Sequence, residues 1–166
     1  MTALTVDFIR ENEWEVWRDL RLAALADAPY AFGSTLAEAR ERDEASWRSG
    51  FPANPHQGAN FVGRVDGAEA GMCAVVMNWD PDGDPLLVAM WLAPSARGTG
   101  LAEALVRAAE KWCVEHDLNR LLLDVVEDNL RAVRLYQRLG YVPTGKAVPL
   151  RSNPSKNVVG YARDLA

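Results

Sequence analysis

Between Trp91 and Ala102 the chain reads Trp-Leu-Ala-Pro-Ser-Ala-Arg-Gly-Thr-Gly-Leu-Ala. An apolar run leads into a short loop carrying Arg97, Gly98, Thr99 and Gly100, and that loop opens a long amphipathic segment at Leu101 and Ala102. Glycines let a backbone approach a ligand closely and leave its N–H groups uncovered. A helix N-terminus adds unpaired N–H donors and about half a positive charge. Arg97 adds a full charge beside them. The chemistry these residues could perform is the holding of a diphosphate, mostly by backbone. An ordinary glycine-bearing helix start would look the same if the loop stood alone.

Two common nucleotide motifs do not fit. A dinucleotide fingerprint needs a small residue where Glu103 stands, and an acidic ribose partner about 20 residues on. The candidate partner, Asp124, falls inside the next strand. The P-loop needs a Gly-Lys-Ser/Thr ending, which is missing here.

Downstream, the stretch from Leu123 to Tyr141 contains Asp124, Asn129, Ala132, Leu135, Tyr136 and Gly140. Asn129 suits a helix N-cap, and Gly140 suits the end of the same helix. Tyr136 shares an apolar stripe with Ala132 and Leu139, so core packing is its plainest role. Asp124 could equally be a strand carboxylate satisfied by neighbouring donors.

The two segments together resemble the GNAT superfamily of acetyl-CoA-dependent N-acetyltransferases. Residues 97–102 are similar to its (Q/R)-x-x-G-x-(G/A) signature, with Arg97, Gly100 and Ala102 in the fixed positions. Residues 123–141 are similar to its L-E-V-x-x-x-N-x-x-A-x-x-L-Y-x-x-x-G-F segment. They depart from it at Asp124, where Glu is common, and at Tyr141, where Phe is common. The likeness covers residues 60–145 well; the first 55 residues share only a β-α-α pattern.

The resemblance implies acetyl-CoA as cosubstrate and no metal. It implies that backbone N–H groups of Arg97, Gly98, Thr99, Gly100, Leu101 and Ala102 hold the pyrophosphate. The strand at 90–92, including Trp91 and Leu92, would bind the pantetheine arm, and one of its N–H groups would polarise the thioester carbonyl. Asn129 would contact pantetheine, and Tyr136 would protonate the leaving thiolate as general acid. Trp91 reads as a wall residue rather than a catalyst. In ribosomal-protein N-terminal acetyltransferases a Glu at the place of Asp124 serves as base. Asp124 is one methylene shorter, which favours a water relay, with Glu127 as backup.

These residues need a frame. Thr5–Arg10 alternates and reads as a strand. Asn12 is placed to cap a helix whose apolar face carries Trp14, Trp17, Leu20 and Leu25, stopping before Pro29. A loop at 29–35 precedes a charged helix over Leu36–Arg48, and 51–58 reads as loop. Asn60–Val65 and Ala70–Trp79 read as a hairpin around Asp66-Gly67. Asp80–Pro85 reads as a turn, its aspartates only superficially like a calcium loop. Leu86–Leu92 is a buried strand, Gly98–His116 a helix, Arg120–Val126 a strand and Asn129–Leu139 a helix. Tyr141–Val142 and Val158–Leu165 supply the last strands. The expected fold is α/β (α+β), with the order β-α-α-β-β-β-α-β-α-β-β. It is a GNAT-like domain over 1–166 with a mixed, mostly antiparallel sheet of about six or seven strands and about four helices.

Composition bounds the function. The chain has 166 residues with 49% hydrophobic and 25% charged, ordinary for a globular domain. A net charge of −5 disfavours broad nucleic-acid binding. No run approaches the about 18 apolar residues of a membrane helix, and Met1–Glu11 lacks a signal-peptide pattern. A cytoplasmic location is expected. Cys73 and Cys113 lie in apolar segments and read as buried reduced thiols; with His56 and His116 they form no metal-ligand spacing. The partner is expected to be a small-molecule or peptide amine, and the resemblance allows a homodimer. The acceptor would be gripped by the first helices, the 29–35 loop and the last strands. The acidic residues Glu38, Glu41, Asp43 and Glu44 read as a solvated helix face. Two other functions are compatible with the glycine loop: a CoA-binding module without catalysis, shown by binding without turnover, and a nicotinamide oxidoreductase, shown by stabilisation with NADH but not CoA.

Overall fold

The computed structural model describes residues 1–77 and 82–165. Asn78 and Trp79 of the expected strand, and Asp80 and Pro81 of the expected turn, lie outside the described residues. Among the described residues seven strands form one sheet: β1 (Leu4–Ile9), β2 (Gly58–Val65), β3 (Ala68–Val76), β4 (Leu86–Leu92), β5 (Arg120–Val126), β6 (Val142–Leu150) and β7 (Asn153–Asp164). Their spatial order is β1-β2-β3-β4-β5-β7-β6. All neighbours are antiparallel except β4 and β5. Among the described residues five α-helices cover it: α1 (Trp14–Asp27), α2 (Leu36–Arg40), α3 (Glu44–Arg48), α4 (Leu101–Glu115) and α5 (Leu130–Arg138).

Alternation along the strands sends side chains to two separate cores. One joins Phe61, Val75, Leu87, Leu123 and Val125 to Leu101, Leu105, Trp112 and Tyr136 of α4 and α5. The other joins Val62, Met72 and Trp91 to Trp17, Leu20, Leu25 and Trp47 on the α1–α3 side. The expected hairpin is present, with φ of 49° at Asp66 and 85° at Gly67, the pair of left-handed residues that a two-residue turn needs.

Three local expectations are corrected. Asn12 does not cap α1; it lies in a short 3-10 turn, Glu11–Glu13, and the helix begins at Trp14. The expected helix over Leu36–Arg48 is two short helices. Thr35 and Glu38 form a reciprocal capping box at the first, and the Asp43 carboxylate accepts from the Ser46 N–H to start a second. Two strong caps eight residues apart divide what one helix would span. The last two strands are much longer than expected. Pro143 and Pro149 fall on β6, an edge strand, and Pro154 lies in β7 before its pairing with β5 begins at Val158, so the missing N–H groups do not interrupt a central ladder.

The relationship that creates the site is the incomplete pairing of β4 with β5. Their ladder holds only at Leu86–Leu122 and Leu87–Leu123. Beyond it, β4 carries one extra residue against β3, since Val88 faces Ala74 but Trp91 faces Met72. Ala89 takes φ of 56° at this bulge. A bulge bends its strand and raises its twist. The C-terminal half of β4 therefore parts from β5 and leaves a gap at the centre of the sheet.

Candidate active site

A cavity of about 740 Å³ follows this gap. Its walls are Leu87–Leu92 of β4 on one side and Asp124–Val126 with Asn129, Ala132 and Tyr136 on the other. Arg97, Gly98, Gly100, Ala102 and Glu103 close one end. The sheet edge of β4 beyond Leu87 faces the gap, where it can accept an extended ligand arm as a strand would.

The glycine loop is built to bring α4 close to the sheet. Gly98 and Gly100 adopt φ of 79° and 94°, so the chain reverses and α4 starts with no side-chain cap. The first-turn N–H groups of a helix have no carbonyl of their own helix to meet; those at Ala102 and Glu103 stand in that turn, while the Leu101 N–H is met by the Thr99 hydroxyl. Leu101 is fully buried. It occupies the space left by two glycines of the sheet; a Cβ at Gly63 would lie 2.8 Å from Leu101 Cδ1, and one at Gly71 would lie 3.3 Å from Leu101 Cδ2. The Thr99 hydroxyl donates to the Ala96 carbonyl at 2.5 Å and accepts from the Leu101 N–H at 3.3 Å. Thr99 and Leu101 thus shape the loop with their side chains, and Leu101 turns away from the cavity.

Arg97 is not free. Its Nη2 donates to Asp27 Oδ2 at 2.5 Å and to the Leu92 carbonyl at 3.3 Å. Trp91 Nε1 donates to the same Asp27 oxygen at 3.0 Å. These bonds, that of Trp91 foremost, hold the Asp27 carboxyl below the usual carboxylate range against the opposing effect of burial. Asp27, the last residue of α1, escaped the sequence reading. An acidic residue at a helix C-terminus opposes the macrodipole, and only that oddity could have drawn attention to it.

At the other end of the gap, Asn129 caps α5 and its Oδ1 accepts from the Ala132 N–H at 3.4 Å. Tyr136 is buried and lines the cavity. Burial pushes its phenol well above the ordinary tyrosine value, with a smaller upward effect from Cys73. A phenol held protonated in this way is a proton donor rather than a base. Asp124 also lines the cavity, and its Oδ2 accepts from Lys146 Nζ at 2.7 Å. Lys146, on the edge strand, was not singled out from sequence. Asp124 is shared with a second hollow of about 260 Å³ that includes Arg120, Thr144 and Lys146. Glu127 is exposed and is not part of either lining. Near the α1 side, Ala28, Ala31 and Phe32 complete the cavity wall. The Phe32 carbonyl accepts from the Ser152 hydroxyl at 2.7 Å, and Glu38 pairs with Arg151 at 2.7 Å, so the β6–β7 turn is tied to this loop. Among the described residues, no group of His, Cys, Asp and Glu is arranged to hold a metal ion.

The family model for the Acetyltransferase (GNAT) family matches residues 13–141. This chain belongs to that family, a class of acyltransferases. It is 29% identical over 140 residues to a mycothiol acetyltransferase of Renibacterium salmoninarum, a match covering 81% of this chain and 39% of that protein. The chain thus spans about two-fifths of the length of that relative. In structure it is similar to yncA of Salmonella typhimurium, solved with its cofactor acetyl-CoA, with a TM-score of 0.80, 14% identity, and coverage of 99% and 95% of the two chains. It is also similar to the ribosomal-protein-S18-alanine N-acetyltransferase of Escherichia coli, with a TM-score of 0.71, 15% identity, and coverage of 99% and 95%. These last two likenesses establish the fold: a seven-stranded mixed sheet of the GNAT kind with helices on both faces.

Proposed function

We propose that the chain, as one N-acetyltransferase domain over 1–166, transfers an acetyl group from acetyl-CoA to a primary amine by direct attack in a ternary complex. The observation that carries this reading is the gap between β4 and β5. It has a glycine-bearing helix start at one end, a strand edge unpaired with β5 along its length and a buried Tyr136 whose phenol burial keeps protonated at the other end.

In this reading the backbone from Arg97 to Ala102 holds the pyrophosphate, chiefly through Gly98, Gly100 and Ala102. The N–H groups of Arg97, Thr99 and Leu101 donate within the loop to Pro94, Ala96 and Thr99. The β4 edge around Trp91 and Leu92 binds pantetheine opposite Asn129. A β4 N–H polarises the thioester carbonyl. The amine nitrogen forms a bond to the carbonyl carbon, the C–S bond breaks, and the sulfur receives the Tyr136 proton. The amine's surplus proton leaves toward Asp124. One oxygen of that carboxylate is engaged by Lys146, so a water between amine and carboxylate carries the transfer. The acceptor enters past Phe32 and the tied β6–β7 turn. Relatives and neighbours named for mycothiol and for a ribosomal-protein alanine support a small-molecule or peptide amine as the acceptor. Two buried, unoxidised cysteines suit a reducing, cytoplasmic location, and no described helix is long and apolar enough to cross a membrane.

The test is thiol release from acetyl-CoA across a panel of amines and N-terminal peptides, with Tyr136→Phe as control. Turnover with an acceptor, lost in the variant, is the expected result. Binding of CoA with no turnover on any amine would favour a non-catalytic CoA-binding module.

A further inference from the structure

Asp27 joins three elements that sequence keeps far apart. It is the last residue of α1, it bonds to Trp91 on β4 and it bonds to Arg97 in the loop before α4. The half of β4 that carries Trp91 has lost its β5 neighbour, so on that side no ladder fixes it. The loop that carries Arg97 has glycines at 98 and 100, and its internal bonds through Thr99 reach Ala96 and Leu101 but not β4. On its other side β4 stays laddered to β3, with Met72 opposite Trp91 and Gly71 opposite Leu92, so side-chain ties add position only on the face toward the gap and in the loop. Both ties end on one atom, Asp27 Oδ2, and Arg97 also reaches back to the Leu92 carbonyl.

We infer that Asp27 is a positioning residue of the coenzyme site, which sets the pantetheine-binding strand and the phosphate-binding loop in register by accepting from Trp91 and Arg97 through a single oxygen. This rests on the acetyl-CoA reading given above. The carboxylate lies at the phosphate end of the cavity, where its charge would repel a polyanion and its location at a helix C-terminus is locally unfavourable. Its charge thus works against coenzyme binding, and what it contributes is geometry. Because one oxygen accepts both bonds, an asparagine can reproduce the arrangement without the charge. An alanine cannot.

The experiment is titration calorimetry of CoA, and of ADP and S-acetylpantetheine as separate probes of the two arms, against wild type, D27A, D27N, W91F and R97Q. Melting curves confirm that each variant is folded. D27A is expected to weaken CoA about tenfold and to weaken both fragments. D27N is expected to recover most of that loss. W91F should weaken S-acetylpantetheine with ADP little changed, and R97Q should do the reverse. D27A binding CoA as tightly as wild type, or D27N binding as weakly as D27A, would overturn the inference. Should D27A fail to fold, W91F and R97Q still decide, since fragment losses that do not divide between the arms contradict it. A wild type that binds no CoA at all would instead remove the acetyl-CoA reading and this inference with it.

Discussion

The rings of Tyr136 and Tyr141 meet edge to face at 5.9 Å across the end of α5. The Tyr141 N–H donates to the Tyr136 carbonyl at 2.9 Å, and the Gly140 N–H to Gln137 at 3.1 Å, with Gly140 at φ of 96°. This is a Schellman closure with its accompanying apolar contact. It fixes the turn from which Tyr136 reaches the cavity. The Tyr141 hydroxyl in turn donates to the buried Glu110 of α4 at 3.0 Å. The proposed proton donor is thereby tied through one ring to the helix that follows the proposed phosphate loop.

Tyr136→Phe keeps the ring packing and removes only the proton. Turnover should fall about 100- to 1000-fold, with CoA affinity within about threefold of wild type. Steady-state rates and calorimetry check this pair. Burial raises the Tyr136 value above that of an ordinary tyrosine, so the group stays protonated well past neutrality. The rate should therefore not decline on the alkaline side below about pH 10; a fall with a midpoint near 8 would assign the proton donor elsewhere.

Asp124→Asn removes the carboxylate and its pair with Lys146 at 2.7 Å while leaving the phosphate end intact. The expected outcome is a loss of about 10-fold or more in kcat/KM for the amine with CoA binding little changed. Equal losses for both ligands would assign Asp124 a structural role.

Glu110→Ala should destabilise the fold. Its side chain is 8% exposed and accepts from Arg107 at 2.8 Å, Arg163 at 2.9 Å and the Tyr141 hydroxyl. Removing a buried acceptor leaves its donors unpaired. Both arginines are partly exposed and can recover water, so the cost is about 2 kcal/mol rather than the larger value of a sealed pair. Urea unfolding measures it.

The two thiols should be silent in the folded protein. Burial raises both, Cys113 to about 12 and Cys73 further. Thiolate is the reactive form, so an aromatic disulfide reagent at pH 8 should label neither until denaturant is added. Fast labelling of the native state would contradict the burial.

The order of strands and helices was readable because these elements carry their own signals: alternation in β1, a continuous apolar run in β4, a three-four stripe in α4. The glycine loop and the Asn129–Gly140 segment were readable because residue type at fixed spacing carries the likeness to the family. The bulge at Ala89 was not, since alanine has no preference for a positive φ and a bulge is set by pairing with β3. Asp27 and Lys146 were not readable for another reason. Their partners lie 64 and 22 residues away, and apart from the acidic end that Asp27 gives α1 nothing local marks either residue. The β6–β7 hairpin was underestimated because prolines argue against strands unless the edge position is known.

The central claim is that the gap between β4 and β5 binds acetyl-CoA. Thermal unfolding with acetyl-CoA, CoA and NADH in parallel tests it most directly. A ligand at about 100 times its dissociation constant adds about 2.7 kcal/mol, which for a chain of this size raises the midpoint by roughly 5–10 °C. Both CoA forms should give that shift and NADH none. No shift with either CoA form would contradict the account and return the glycine loop to a plain helix start.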